Sequence, residues 1–375
     1  MRKNRIIDLF CGTGGFAQGF LSSSERFELV AAIDVLPRAT QTTRANHKRC
    51  VVITEDLRRV RPSSLREQIA PGDIDLIIGG PPCQGFSSLR PFRSSTNDDP
   101  RNTLFEQFAL YVHYFRPKCF VMENVVGLLT HEKGSTLEGI QQCFKNFGYD
   151  TSWRILNAAQ YGVPQKRERF VLIGAQAGAH IEFPKPTHEF NGKTIGFKDR
   201  SKFVQSQSKL PRALSVVDAI GDLPPLESAG KESRYQQAPT TAYQASRRGD
   251  SRELTLHEAA RHTTKMLEII RHSGPNIKSI PDGLISSGFS SCYSRLDPLE
   301  PATTITVKFL SPASSKCIHP FQDRSLTPRE GARIQSFDDD YVFVGGRCDI
   351  AAMIGNAVPP LLGKAIAASL SSLLN

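Results

Sequence analysis

Leu76-Ile-Ile-Gly-Gly-Pro-Pro-Cys-Gln-Gly-Phe-Ser-Ser88 is the stretch around which the rest of the chain is organised. The apolar run at residues 74–78 reads as a short buried strand. Two glycines end it. Pro81 and Pro82 then stiffen the exit, fixing φ and offering no backbone N–H. Cys83 follows at the mouth of the strand, not inside it. Open α/β sheets bind ligands just beyond the carboxyl ends of their strands, so a thiol on this rigid backbone is placed to react. A lone cysteine after a turn is more often a buried filler. The Pro-Pro before Cys83 and the polar loop after it, residues 84–101, point instead to a nucleophile.

Working outward, strands and helices alternate from residue 5 to about residue 175. Strands are expected at residues 6–10, 29–34, 51–54, 74–78 and 119–123, with two more near 152–156 and 170–174. Helices are expected through about residue 21 and at 37–46, 103–115 and 135–147. This alternation predicts an α/β fold with a doubly wound, mostly parallel sheet. After Pro184 the periodicity weakens, although residues 254–270 still look helical. Sixteen Lys/Arg face eleven Asp/Glu between residues 184 and 290. That stretch therefore carries about half of the net charge of +10 and reads as a smaller domain with a basic surface. Thr327-Pro328-Arg329-Glu330 is a capping box that starts a helix through about residue 335. Pro359-Pro360 opens a last apolar helix to residue 374. The expected division is residues 1–183, 184–325 and 326–375, the last returning to the first.

At 375 residues the chain holds one large or two modest domains. The eight cysteines are scattered without a CxxC pair, which suggests neither a zinc site nor a disulfide framework. No apolar run approaches the roughly 18 residues a membrane span needs, and no secretory segment precedes the first strand. These features read as a soluble protein of a reducing compartment. The basic balance points to a polyanionic partner.

Three further constellations carry chemistry. The first strand ends in Asp8-Leu9-Phe10-Cys11-Gly12-Thr13-Gly14-Gly15. Glycines there let a ligand approach the backbone closely. Asp34, twenty residues after Gly14, can accept both hydroxyls of a ribose, and Asp56 can meet an adenine edge. Gly12, Gly14 and Ala17 also fit the relaxed dinucleotide fingerprint, so a dehydrogenase is a rival. It leaves Cys83, Glu123 and Arg167 without work. Glu123 ends the fifth strand, whose expected neighbour carries Cys83. A carboxyl there can face the thiol and hydrogen-bond a ring nitrogen. Gln165, Arg167 and Arg169 alternate onto one face of an expected strand and suit a polar or anionic pocket.

A cytosine ring needs this set. A thiolate at Cys83 adding to carbon 6 makes carbon 5 enamine-like. Glu123 supports the electron flow at nitrogen 3. Arg167 clamps the carbonyl oxygen and favours the thiolate. Loss of the carbon 5 hydrogen and of the thiolate then restores the ring. Within a duplex, the base must be flipped out.

At these residues the chain closely resembles the cytosine-5 DNA methyltransferases. The matches are Asp8 to Gly15, Gly79 to Ser87, Glu123-Asn124-Val125, Gln165 to Arg169, Leu326 to Gln335 and Gly355 to Pro360, in order, over about residues 5–370. The resemblance implies a Rossmann-like fold, S-adenosylmethionine as methyl donor and a target-recognition region at 184–290. It implies Phe10 near the adenine, Asp34 on the ribose and Asp56 on the adenine. Asn356 and Val358 would lie near the cofactor and the catalytic loop. Pro81, Gly12 and Gly14 join the cofactor set. Gln84, Ser87, Arg90, Arg93 and Arg169 are expected against DNA; no metal is. The implied setting is a restriction-modification system of the bacterial cytoplasm, with monomeric action on duplex DNA and a cognate endonuclease on a separate chain. The same fold would also serve a tRNA cytosine methyltransferase or a non-catalytic DNA-binding module. The basic variable region and the complete motif set favour DNA methylation. Phe337-Asp338 departs from the common Phe-Pro, Met353 from a common Gln, and Asp34 from a frequent Glu.

Overall fold

The structure, a computed structural model, describes residues 2–82, 103–191, 200–205 and 209–374. Among these, seven strands form one sheet in the order β3-β2-β1-β4-β5-β8-β6. They are β1 (Asn4–Leu9), β2 (Phe27–Asp34), β3 (Val51–Thr54), β4 (Leu76–Gly79), β5 (Cys119–Asn124), β6 (Tyr149–Asn157) and β8 (Glu168–Gln176). A two-residue strand, β7 (Gln165–Lys166), leaves this sheet and pairs with β9 (Ala302–Thr303). Only β8 runs antiparallel to its neighbours β5 and β6. The sheet is the doubly wound, mostly parallel one that the alternation implies.

Alternation along each strand builds two cores. Ile7, Leu9, Ile77, Phe120 and Met122 face one way, onto α4 (Thr103–Phe115) and α5 (Ser135–Asn146). Ile6, Leu76, Ile78 and Val121 face the other, onto α1 (Gly15–Ser23) and a helix from the far end of the chain, Pro360–Ser369. That crossing is tight. A Cβ at Gly19 would meet the Pro360 carbonyl at 2.3 Å, so only glycine lets the two helices approach this closely. Two other helices, α2 (Pro37–Asn46) and α3 (Pro62–Gln68), follow β2 and β3.

A third core belongs to the rest of the chain. It gathers Val216, Ile220, Tyr243, Leu254, Leu296 and Phe309 with Ala332, Phe337, Tyr341 and Ile354. Its helices are α6 (Val216–Ile220), α7 (Ala242–Arg248), α9 (Pro328–Ile334) and α10 (Arg347–Asn356); α8 (Thr264–Arg271) lies outside this core, and α11 (Pro360–Ser369) returns to the sheet. The expected capping box forms at α9: Thr327 accepts from the Glu330 N–H and Glu330 from the Thr327 N–H. The helix expected over residues 254–270 is confined to α8. Leu256 takes a left-handed φ of 61°, and His257 is locked between the Pro224 carbonyl (2.8 Å) and the Thr327 hydroxyl (3.1 Å). Helix begins only where Thr263 caps it. The apolar stretch Arg347–Ser369 has a membrane-spanning length, but 67% of its most apolar window is buried in the protein.

The strand order reverses between β1 and β4, which send their connections to opposite sides. The crevice at that reversal lies at the carboxyl ends of both strands. Two loops meet there: Phe10–Gly14 after β1, and Gly80–Pro82 leading into residue 83.

Candidate active site

At the β1 side, the chain turns through two left-handed glycines, φ +53° at Gly12 and +80° at Gly14, with Phe10 also at +60°. A side chain would strain the first two positions. Asp34, at the end of the adjacent β2, is fixed by backbone donors. Its carboxylate accepts from Gly12 N–H at 2.8 Å and from Leu36 N–H at 2.8 Å. Burial pushes the Asp34 carboxyl up, and the Leu36, Gly12 and Val35 amides pull it back. Beneath it, Asp8 is buried, and burial with the Asp34 charge pushes its carboxyl well up. Asp8 Oδ2 and Thr13 Oγ1 are buried without a hydrogen-bond partner, and a Cβ at Gly12 would meet nothing within 4 Å. Unspent polar capacity beside open backbone fits a polar ligand such as the nucleoside cofactor.

Two elements close this side from the C-terminal end. Asn356 is exposed at the end of α10. The Val358 carbonyl rests on the start of α1, 2.9 Å from where a Cβ at Gly15 would be. Of the two expected residues, Val358 thus borders the glycine loop. Asp56 is turned differently. Its carboxylate caps the Arg58 N–H at 3.0 Å and pairs with the Arg58 guanidinium. Any adenine contact shares that carboxylate with Arg58.

At the β4 side, parallel pairing sets Gly79 beside Met122, so the β4 exit and Glu123 are neighbours. A Cβ at Gly80 would lie 3.1 Å from Glu123 Oε2. Asn124, the neighbour of Glu123 in the Glu123-Asn124-Val125 motif, ties the two strand ends together: its amide donates to the Pro81 carbonyl at 2.8 Å. The backbone that delivers residue 83 is thus fixed against Glu123. Cys83 itself, with Gln84, Ser87, Arg90 and Arg93, lies outside the described residues.

The arginines do not sort as the alternation implies. Arg169 Nε pairs with Glu123 Oε1 at 2.7 Å. Arg167 is fully buried and donates to the Ile305 carbonyl at 3.1 Å and the Gly355 carbonyl at 3.0 Å. The Arg167 guanidinium, expected as the clamp, is spent here on two backbone carbonyls at the junction with the C-terminal segment, and it is Arg169 that stands beside Glu123. The reason is local. Arg167 N–H donates to the Gln165 carbonyl at 2.9 Å, a three-residue turn between β7 and β8. That turn breaks the alternation expected of residues 165–169. Gln165 likewise faces the junction, donating to Gln335 Oε1 at 2.6 Å and accepting from Ile305 N–H at 2.8 Å.

The family model described as C-5 cytosine-specific DNA methylase matches residues 4–372. The Type II methyltransferase M.AgeI of Thalassovita gelatinovora is 35% identical, with 97% of this chain and 98% of the relative covered. The Type II methyltransferase M1.HphI of Haemophilus parahaemolyticus is 37% identical over 96% of this chain and 85% of its own length. Among solved structures, a DNA modification methyltransferase encoded within an E. coli prophage superposes with a TM-score of 0.77 at 23% identity, both chains covered in full. At that identity the superposition speaks for the fold.

Proposed function

The chain belongs to the C-5 cytosine-specific DNA methylase family and is a DNA (cytosine-5-)-methyltransferase, and from that premise we propose how its residues divide the work. Cys83 is the nucleophile, and its thiolate adds to carbon 6 of a cytosine flipped out of duplex DNA. Glu123 acts as the hydrogen-bonding acid at ring nitrogen 3, drawing electron density from the new enamine. Arg169 holds Glu123 in place and reaches the ring carbonyl. The buried direction of the Arg167 guanidinium supports giving that task to Arg169. S-adenosylmethionine, when bound, supplies an electrophilic methyl group for carbon 5. Phe10, Gly12, Gly14, Asp34, Asp56, Pro81, Asn356 and Val358 would hold it. The carbon 5 proton then leaves to solvent, the thiolate is expelled and aromaticity returns. Gln84, Ser87, Arg90 and Arg93 hold the DNA backbone, and the basic stretch 184–290 reads the target.

The observation that carries this reading is the Glu123–Arg169 pair beside the β4 exit, where a Cβ at Gly80 would lie 3.1 Å from Glu123 Oε2 and the adjoining Asn124 donates to the Pro81 carbonyl. The relatives named above are Type II methyltransferases, and we read this chain in the same way as a modification enzyme, acting as a monomer in a bacterial cytoplasm beside a separate endonuclease. The test is transfer of a radiolabelled methyl group from S-adenosylmethionine to mixed-sequence duplex DNA and to tRNA. The expected product is 5-methylcytosine in duplex DNA at one sequence. Label in tRNA alone would overturn the proposal.

A further inference from the structure

The glycine loop has a second wall, which comes from the far end of the chain. Tyr341 is buried, and its hydroxyl donates to the Thr13 carbonyl. The Gly14 N–H donates to the Cys11 carbonyl at 2.8 Å. One peptide plane, Thr13–Gly14, is therefore tied at both ends. Gly14 fills the remaining space: a Cβ there would lie 3.0 Å from His47 Nε2 and 3.2 Å from the Tyr341 hydroxyl. Behind the phenol, the Phe337 and Phe343 rings sit at 4.9 and 5.3 Å.

Tyr341 cannot swing away, because its segment is anchored on both sides. Ahead of it, Asp338 pairs with Arg247 of α7 at 2.8 Å, so the departure from Phe-Pro at 337–338 has a partner. Asp339 pairs with Arg333 and accepts from the Tyr235 hydroxyl, each at 2.6 Å. After it, Val342 exchanges hydrogen bonds with the Asn46 side chain at 3.0 and 2.8 Å. Val344 N–H donates to Thr42 Oγ1 at 2.9 Å.

We propose that Tyr341 is a positioning residue for the methyl donor: by holding the Thr13–Gly14 peptide, it keeps the loop in the shape that S-adenosylmethionine recognises. This rests on the reading that the cofactor binds at residues 10–15. The test is Tyr341→Phe, which removes one hydroxyl. Calorimetric titration of the free enzyme with S-adenosylmethionine should show a Kd about fivefold weaker than wild type, the worth of one hydrogen bond. The KM for S-adenosylmethionine should rise in step. The KM for mixed-sequence duplex DNA, and kcat at saturating cofactor, should stay within about twofold. Phe343→Leu loosens the same aromatic cluster without touching Thr13, and its Kd should stay near wild type. A lower melting temperature in Tyr341→Phe with an unchanged Kd would make Tyr341 merely structural and overturn the inference. Equal weakening in Phe343→Leu would overturn it as well. A wild-type enzyme that does not bind S-adenosylmethionine would instead overturn the cofactor reading beneath it.

Discussion

The Glu123–Arg169 pair and the arginine–carboxylate cluster around α9 differ in how far they are sealed from solvent. Glu123–Arg169 keeps 12% and 13% of its side-chain surface open. Around α9, Arg324–Glu330, Arg333–Asp222 and Arg333–Asp339 are sealed at 0–1%. Both use the same pair chemistry. The sealed cluster satisfies its charges with many partners: Arg333 alone reaches Asp222, Asp339 and the Ala219 carbonyl. The open pair sits at the carboxyl ends of two neighbouring strands, close against Gly80. Burial with full pairing makes an ion cluster structural, and a partly open pair at a strand mouth is placed where α/β sheets bind their ligands.

The largest effect should come from the open pair. Glu123→Gln should cut methyl transfer to duplex DNA by about 10²–10⁴-fold while urea unfolding stays within about 1 kcal/mol of wild type. Arg169→Ala should follow it in kind. Arg167→Ala should instead lose stability, about 1–3 kcal/mol, because two buried carbonyls lose their donor. The opposite pattern for the two arginines would return the clamp to Arg167.

Next comes the sealed cluster. Arg333→Met leaves Asp222 and Asp339 short of a buried partner. It should cost about 3–5 kcal/mol in urea unfolding. A loss under about 1 kcal/mol would erase the contrast between the regions.

A smaller effect is shared. Burial lowers His47, beside the glycine loop, and His319, beside Glu330, from the ordinary 6.5 to about 4. The unfolded chain takes up these protons first. Each neutral histidine therefore contributes stability that is full above about pH 6.5 and is lost as pH falls toward 4. For His47 alone the loss should reach about 2 kcal/mol by pH 5. His47→Gln should flatten the stability–pH curve between pH 6.5 and 5 by about that amount. An unchanged slope would show that His47 is protonated in the folded state.

How much of this was legible in the sequence depends on whether a contact is local. The β4–β5 neighbourhood of Glu123 followed from alternation and strand order. Asp34 beside Gly12 followed from the spacing after β1, and the α9 capping box from four residues. The helix expected at 254–270 failed because the buried ring of His257 fixes non-helical backbone, a tertiary contact invisible locally. Arg167 and Arg169 part onto different partners for a related reason. A single backbone hydrogen bond, Arg167 N–H to Gln165 carbonyl, resets the face of every side chain after it. Tyr341 and His47 carried no signal, because they reach Thr13 and Gly14 only through the fold. Asn124 had one, its place beside Glu123 in a matching motif.

The most direct measurement traps the reaction at the open pair. The enzyme would be incubated with S-adenosylmethionine and a mixed-sequence duplex carrying 5-fluorocytosine, where fluorine blocks the last elimination. A denaturant-resistant protein–DNA complex should form, disappear in Cys83→Ala and form far more slowly in Glu123→Gln. A complex that persists in Cys83→Ala, or a wild-type enzyme that methylates duplex DNA without ever forming one, would contradict the assignment of the nucleophile and of the pocket built around it.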